Sequence, residues 1–176
     1  MPQSNKFVSV GSYKDGKGVI SIQELDQDLN CRTIRNLEFD SGFRCCSFGV
    51  EPKALRRLVT GQYNGNVSVF DLEHPQTPVW SGKEDTLINS VDTPFHSSRP
   101  EFLSTSRNGN VSLWDTRVFN SPVITLKSDD STLQDCWIGK FDTHQPESLF
   151  CGYKSGELRA FDIRQNGIFW KYSSSD

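Results

Sequence analysis

Apolar and polar residues alternate with a period of two in short runs that recur along the chain. In the clearest of them Val67 and Val69 flank Ser68, and Val111 and Leu113 flank Ser112. Side chains of a β-strand point alternately to its two faces, so each run predicts a strand with two distinguishable faces. A large aromatic and an aspartate close each run: Phe70-Asp71, Trp114-Asp115 and, in a third copy that begins at Leu158, Phe161-Asp162. Ahead of each lies a short apolar run, starting at Leu58, Phe102 and Leu149, and then a tight turn. Asn64-Gly65 and Asn108-Gly109 in those turns predict type I′ geometry, which needs φ > 0 at both central residues. A looser copy runs from Phe7 to Leu25 with a longer turn between Ser12 and Lys17. The turn glycines, Gly18, Gly65, Gly109 and Gly156, are spaced by 47, 44 and 47 residues. A period of roughly 20–50 residues marks a repeat architecture.

Further strands fill the gaps. Phe43 to Gly49, Leu87 to Thr93 and Asp135 to Phe141 precede the hairpins; Cys31 to Asn36, Pro78 to Gly82, Pro122 to Lys127 and Ile168 to Tyr172 follow them. Pro78 and Pro122 open their strands, where a missing N–H is tolerated. Each unit thus holds four short strands, which is one blade of a β-propeller. The predicted fold is all-β, with about four four-stranded blades over 6–37, 43–82, 87–127 and 135–172. The first is incomplete, because Phe7 already belongs to a second strand and residues 1–6 are too few for a first. No stretch carries a capped helical stripe. An unrelated β-sandwich that repeats a hairpin is the alternative, and three copies with glycine, aromatic and aspartate in register disfavour it.

These residues resemble WD repeats. Trp114-Asp115 is the full dipeptide, and Phe70-Asp71 and Phe161-Asp162 are common variants. Two features depart from the pattern. The Gly-His dipeptide before the first strand is missing, with Gly82-Lys83 near its place, and Asn64, Asn108 and Ser155 replace the aspartate usual in the tight turn. The buried hydrogen-bond network of the best WD repeats is therefore expected to be absent or degraded, with lower stability per blade. Arg44 to Gly49, Thr60 to Val79, Ile88 to Asp92, Asp135-Cys136-Trp137 and Cys151 to Arg164 are more particularly similar to WD-repeat dynein-arm assembly factors. That resemblance implies part of a seven-bladed ring acting in cytoplasmic preassembly of axonemal dynein arms. The partners it implies are dynein arm subunits and a prefoldin-like co-chaperone complex built around RuvB-like ATPases. On this reading the chain is a fragment or truncated gene product whose uncovered blade faces and edges invite association.

Composition narrows the classes. Hydrophobic residues make up 35% of 176, enough for a packed core. A net charge of -3 and a pI of about 5.6 argue against a sequence-independent nucleic-acid binder. No apolar run approaches the roughly 18–20 residues of a membrane helix, and no signal-peptide stretch opens the chain. No nucleic-acid or membrane partner is expected, and the compartment expected is the cytoplasm. The five cysteines are odd in number, with no C-x-x-C pair, so buried reduced thiols are expected.

No catalytic constellation emerges. His74, His96 and His144 are far apart, and neither zinc spacing nor a nucleophile elbow nor a phosphate loop occurs. Gly11 to Gly18 is glycine- and lysine-rich, but no helix follows to bind an anion. Asp26 and Asp28, and Asp129 and Asp130, are too few for a calcium loop. Non-enzymatic function with no metal and no cofactor is therefore expected.

Binding remains. The family resemblance implies partner docking on the rim formed by the second-to-third strand turns and by the residues that open each first strand. Those positions are Tyr63, Arg107 and Lys154 in the turns, and Gly42, Leu87 and Asp135 at the openings. Tyrosine and arginine are favoured interface anchors. For each, an ordinary exposed turn residue is the plainer alternative. Trp137 is either a core aromatic or an exposed anchor, while Trp80 and Trp170 in outer strands shield a blade edge. A different scaffold role, as a ubiquitin-ligase substrate receptor, would use Asp115-Thr116-Arg117 and Asp162-Ile163-Arg164.

Overall fold

The computed structural model describes residues 5–49, 56–94, 101–127, 135–145 and 147–173, with Glu101 described by its backbone alone. It is all-β, with no helix among the described residues. The first sheet has three strands, β1 (Asn5–Ser12), β2 (Gly18–Leu25) and β3 (Cys31–Phe39). The second holds β4 (Phe43–Phe48), β5 (Arg57–Gln62), β6 (Asn66–Asp71) and β7 (Trp80–Lys83). The third holds β8 (Ile88–Asp92), β9 (Glu101–Ser106), β10 (Val111–Asp115) and β11 (Ile124–Leu126), and the fourth β12 (Cys136–Phe141), β13 (Ser148–Tyr153), β14 (Leu158–Asp162) and β15 (Gly167–Tyr172). Every sheet is an antiparallel meander in chain order. Among the described residues the first sheet has no counterpart of β4, β8 and β12, so β1 stands where β5, β9 and β13 stand. Pro78 and Pro122 lie two residues ahead of β7 and β11 rather than inside them.

The hairpin turns differ from expectation. Asn64 and Asn108 do not adopt positive φ, whereas Gly16, Gly65, Gly109 and Gly156 do, at 83–88°. The Gly65 N–H donates to the Gln62 carbonyl at 3.2 Å, and Gly109 N–H to Ser106 at 3.0 Å. Each turn is thus a type I turn closed by a left-handed glycine, which needs one positive φ where type I′ needs two. The fourth equivalent glycine is Gly16, not Gly18, and its N–H reaches the Tyr13 carbonyl at 3.0 Å.

The sheets stack in chain order, each interface having its own core. Ile20, Phe43, Leu58 and Phe70 fill the first, joined by Val10 and Leu37. Val59, Val69, Trp80, Ile88, Phe102 and Trp114 fill the second. Leu103, Leu113, Cys136, Leu149 and Phe161 are central to the third. The period of two explains this: the aromatic Phe70, Trp114 or Phe161 points back to the preceding sheet, and Val69 or Leu113, one residue earlier, points on to the next. Trp80 is a correction. It is not an edge shield but a buried ring, nearly perpendicular to Phe102 and Trp114 at centroid distances of 5.4 and 5.6 Å.

The first strands β4, β8 and β12 also pack on one another. Polar side chains tie them: Thr93 donates to the Phe48 carbonyl, Asn89 to the Cys136 carbonyl at 2.9 Å, and the Gly139 N–H donates to Ser90 at 3.0 Å. Asp92 accepts the Phe141 N–H at 3.0 Å and pairs with Lys140 at 2.6 Å.

Candidate functional site

The turn glycines set one end of every sheet. In each four-stranded sheet the turn residue that follows the second strand donates its N–H to the carbonyl of the residue that opens the first strand. Tyr63 reaches Gly42 at 3.1 Å, Arg107 reaches Leu87 at 3.1 Å and Lys154 reaches Asp135 at 2.8 Å. Six of the seven rim residues singled out from the sequence are therefore three bonded pairs, one per sheet. The residue ahead of each glycine accepts the N–H two positions on: Asn64 from Asn66 at 3.0 Å, Asn108 from Asn110 at 3.2 Å and Ser155 from Glu157 at 3.3 Å. A side-chain oxygen there is what the turn requires, which is why Asn and Ser serve in place of Asp.

Neighbouring sheets are laced at the same end. The Gly42 N–H, which opens the second sheet, donates to the Gly16 carbonyl of the first at 2.9 Å; within the second sheet the Glu84 N–H donates to the Gly65 carbonyl at 3.0 Å, continuing the β6–β7 ladder and holding the start of the linker to the third. Arg107 Nε approaches Asp135 Oδ1 at 4.0 Å, from the third sheet to the fourth.

Each first strand carries an irregularity in one place. The register shifts between Phe43 and Cys45, between Ile88 and Ser90, and between Cys136 and Ile138. The extra residues are Arg44, Asn89 and Trp137. Bulges bend a strand and re-aim its side chain, and they concentrate at rims and binding sites. The Arg44 guanidinium lies 5.8 Å from the Tyr63 ring centroid. Trp137 is 57% exposed and is therefore not a core aromatic. Sequence reasoning reached Trp137 but missed Arg44 and Asn89. The signal was available, since each lies two residues beyond Gly42, Leu87 or Asp135.

The opposite end of the sheets holds the Asp-x-Arg segments. Asp115 accepts the Arg117 backbone N–H at 2.9 Å and pairs with its guanidinium, which holds the carboxyl below its usual range. Asp162 accepts the Arg164 N–H at 2.8 Å, with the Arg164 guanidinium at 3.7 Å. These aspartates close turns, as Asp71 does for Glu73 at 3.0 Å.

No cluster of three potential metal ligands occurs among the described residues. His96, Asp129, Asp130 and residues 174–176 lie outside the described residues. Cys31 is exposed, contrary to the expectation of buried thiols, because β3 is the outer strand of its sheet. Burial pushes the Cys45 thiol up to about 12 and raises Cys46 as well. One buried feature had no sequence signal: Arg159 stands where the second and third sheets have Ser68 and Ser112, paired with Glu157 and 4.8 Å from the Tyr153 ring centroid.

No family model matches the chain. It is similar over 97% of its length to proteins named dynein axonemal assembly factor 10: 33% identical in Xenopus tropicalis, 32% in Chlamydomonas reinhardtii and 33% in Bos taurus. Homologues named dynein axonemal assembly factor 10 support a relationship to the dynein assembly factors. The chain spans about half the length of the curated relatives it matches, since the matched part is 50% of each. Because 97% of this chain is aligned with the dynein axonemal assembly factors, the rim pairs and the bulges that frame them fall within the likeness.

Proposed function

We propose that the chain is a protein-binding scaffold that acts in the cytoplasmic preassembly of axonemal dynein arms. The observation that carries this reading is the likeness to dynein axonemal assembly factors over 97% of the chain. Its sheets are consecutive blades of a WD-repeat propeller, part of a ring of seven. Sequential cores between sheets and the mutual packing of β4, β8 and β12 support that arrangement. Partners dock on the rim of turns and bulges, where Arg44, Tyr63, Arg107, Trp137 and Lys154 supply cations and aromatic surface. The partners are dynein arm subunits and the prefoldin-like co-chaperone complex built around RuvB-like ATPases. The scaffold is not an enzyme, takes no cofactor, and has no nucleic-acid or membrane partner.

A second reading, as a ubiquitin-ligase substrate receptor, draws on the outward guanidinium groups of Arg117 and Arg164, 72% and 70% exposed. Affinity purification of the tagged chain from ciliating cells, followed by mass spectrometry, tests both. Dynein arm chains or RuvB-like ATPases are expected. Ligase subunits that disappear with an Arg117→Ala/Arg164→Ala double variant would move the assignment to the second reading.

A further inference from the structure

The first sheet reaches farther than its neighbour at the end opposite the rim. Counting from the left-handed glycines Gly16 and Gly65, Ile22 matches Asp71, the last residue of β6. There the second sheet turns, whereas β2 runs on to Leu25, which pairs with Cys31 at the start of β3. Three further residues of strand overhang the second sheet by roughly 10 Å. The tip of this hairpin holds Leu29 at a φ of 62°. Among the described residues the other non-glycine positions of positive φ are Asn120 and Asn166. Asparagine tolerates the left-handed region, but a bulky residue there is an outlier. Hydrogen bonds hold Leu29 in it. Its N–H donates to the Asp26 carbonyl at 3.2 Å, and the Asp26 carboxylate accepts the N–H groups of Asp28 and Asn30, each at 2.9 Å. Leu29 is 76% exposed, more than any other large apolar side chain among the described residues. A strained backbone that holds an apolar side chain in water adds nothing to the core, and such strain gathers at sites that bind.

The overhang also leaves a cleft of about 560 Å³. Val8, Ile22 and Ile34 of the first sheet line it, together with Phe48 and Leu72 of the second. Val8, Phe48 and Leu72 lie at the margin of the first core, where they are only partly buried. Ile34 is the extra residue of a bulge in β3, opposite the step from Ile22 to Gln23, and it is half exposed. Lys6 stands at the edge of the cleft. Arg35, directly across the strands from Ile22, lies on the same face of the sheet.

We infer that two copies of this chain associate by reciprocal insertion of their β2–β3 hairpins, with Leu29 of each copy entering the cleft of the other. The tip is apolar with acidic flanks, since Asp26 and Asp28 are exposed beside Leu29. The cleft is apolar with Lys6 and Arg35 on its wall, so tip and cleft match in both polarity and charge. Both lie on one hairpin. A two-fold axis between two such hairpins laid antiparallel therefore makes both contacts at once, as an isologous interface requires. Neither the rim nor the likeness to the assembly factors enters this contact.

Sedimentation equilibrium of the whole chain tests this. The contact is small, so a reversible dimer with a Kd of about 100 µM or tighter is expected. Leu29→Asn suits the left-handed turn and removes the apolar side chain, so its Tm is expected to equal or exceed the parent's. Ile34→Glu puts a charge on the cleft wall at an exposed bulge. Each variant is expected to weaken the dimer by at least about tenfold, the loss that unburying one leucine or isoleucine brings. Mixing the two variants leaves one good contact, Leu29 of the Ile34→Glu chain in the intact cleft of the Leu29→Asn chain. The mixture is therefore expected to associate more tightly than either variant alone, a rescue that a merely structural leucine would not give. Three outcomes would overturn the inference. One is a parent chain still monomeric at threefold the stated concentration. Another is a dimer indifferent to both variants, as one formed on the exposed face of Trp170 and Tyr172 would be. The third is a mixture no tighter than its components.

Discussion

The indole N–H of Trp114 donates a 2.8 Å hydrogen bond to the hydroxyl of Ser104, and both side chains are wholly buried. It satisfies the one polar atom of the indole inside an otherwise apolar interface between the second and third sheets. Ser104→Ala leaves the indole N–H without a partner in a dry core, at a cost of about 1–3 kcal/mol. Urea denaturation at constant m-value reads the loss; an unchanged midpoint would show that the bond contributes nothing.

Gly65 and Gly156 share a backbone conformation but not a neighbourhood. A Cβ at Gly65 would collide with the Glu84 carbonyl oxygen and lie 2.7 Å from that of Thr86, whereas at Gly156 it meets nothing. Gly156→Ala is expected to cost only left-handed strain, about 1–2 kcal/mol. Gly65→Ala is expected to cost more, because the linker into the third sheet must also move. Equal losses in thermal unfolding would remove the link argued between turn and linker.

Asp92 joins the third sheet to the fourth through both its oxygens. Asp92→Ala removes the acceptor of the buried Phe141 N–H and the partner of Lys140. A loss of about 2–3 kcal/mol is expected, together with faster amide hydrogen exchange at Phe141. Unaltered exchange there would mean that Asp92 contributes nothing to the contact between the two sheets.

The Glu84 carboxyl is buried, and its pKa is pushed up from 4.5, by desolvation first, with Ser112 opposing and the Asp85 charge reinforcing. The fold thus favours the protonated form. Its contribution to stability is full below the unfolded value and is lost as pH rises through the raised folded value. Glu84→Gln is expected to gain stability relative to the parent as pH is raised from 4.5 to 7. Paired denaturation curves test this, and a constant difference across that range would refute the shift.

Much of this was legible in the residues, for physical reasons. Val67 to Asp71 and Val111 to Asp115 alternate because each strand lies between two packed sheets with different neighbours. The turn and opening residues were reached through the family resemblance, but their bonding in pairs was not, because an N–H to carbonyl contact between backbones leaves no mark on side-chain identity. The turn type was not, since Asn-Gly suits both type I′ and a type I turn ending in a left-handed glycine, and only φ at Asn64 separates them. The bulges were legible only by position, two residues beyond each opening residue, because Arg44, Asn89 and Trp137 share no chemistry. Trp80 was misjudged because an outer strand is an edge within its own sheet, yet its face is buried by the next. Arg159, in a place held by serine in the second and third sheets and by Val19 in the first, is buried by pairing with Glu157 two residues away, a contact that spacing does not announce.

The central claim is that the rim of turns and bulges docks partners in dynein-arm assembly. Its most direct test is quantitative co-purification of dynein arm chains from ciliating cells with the tagged parent chain and with a Trp137→Ala/Arg107→Glu variant of matched thermal stability. Recovery with the parent and a loss of at least about tenfold with the variant is the result expected, in keeping with removal of two interface anchors. Equal recovery with both chains, or none with the parent, would contradict it.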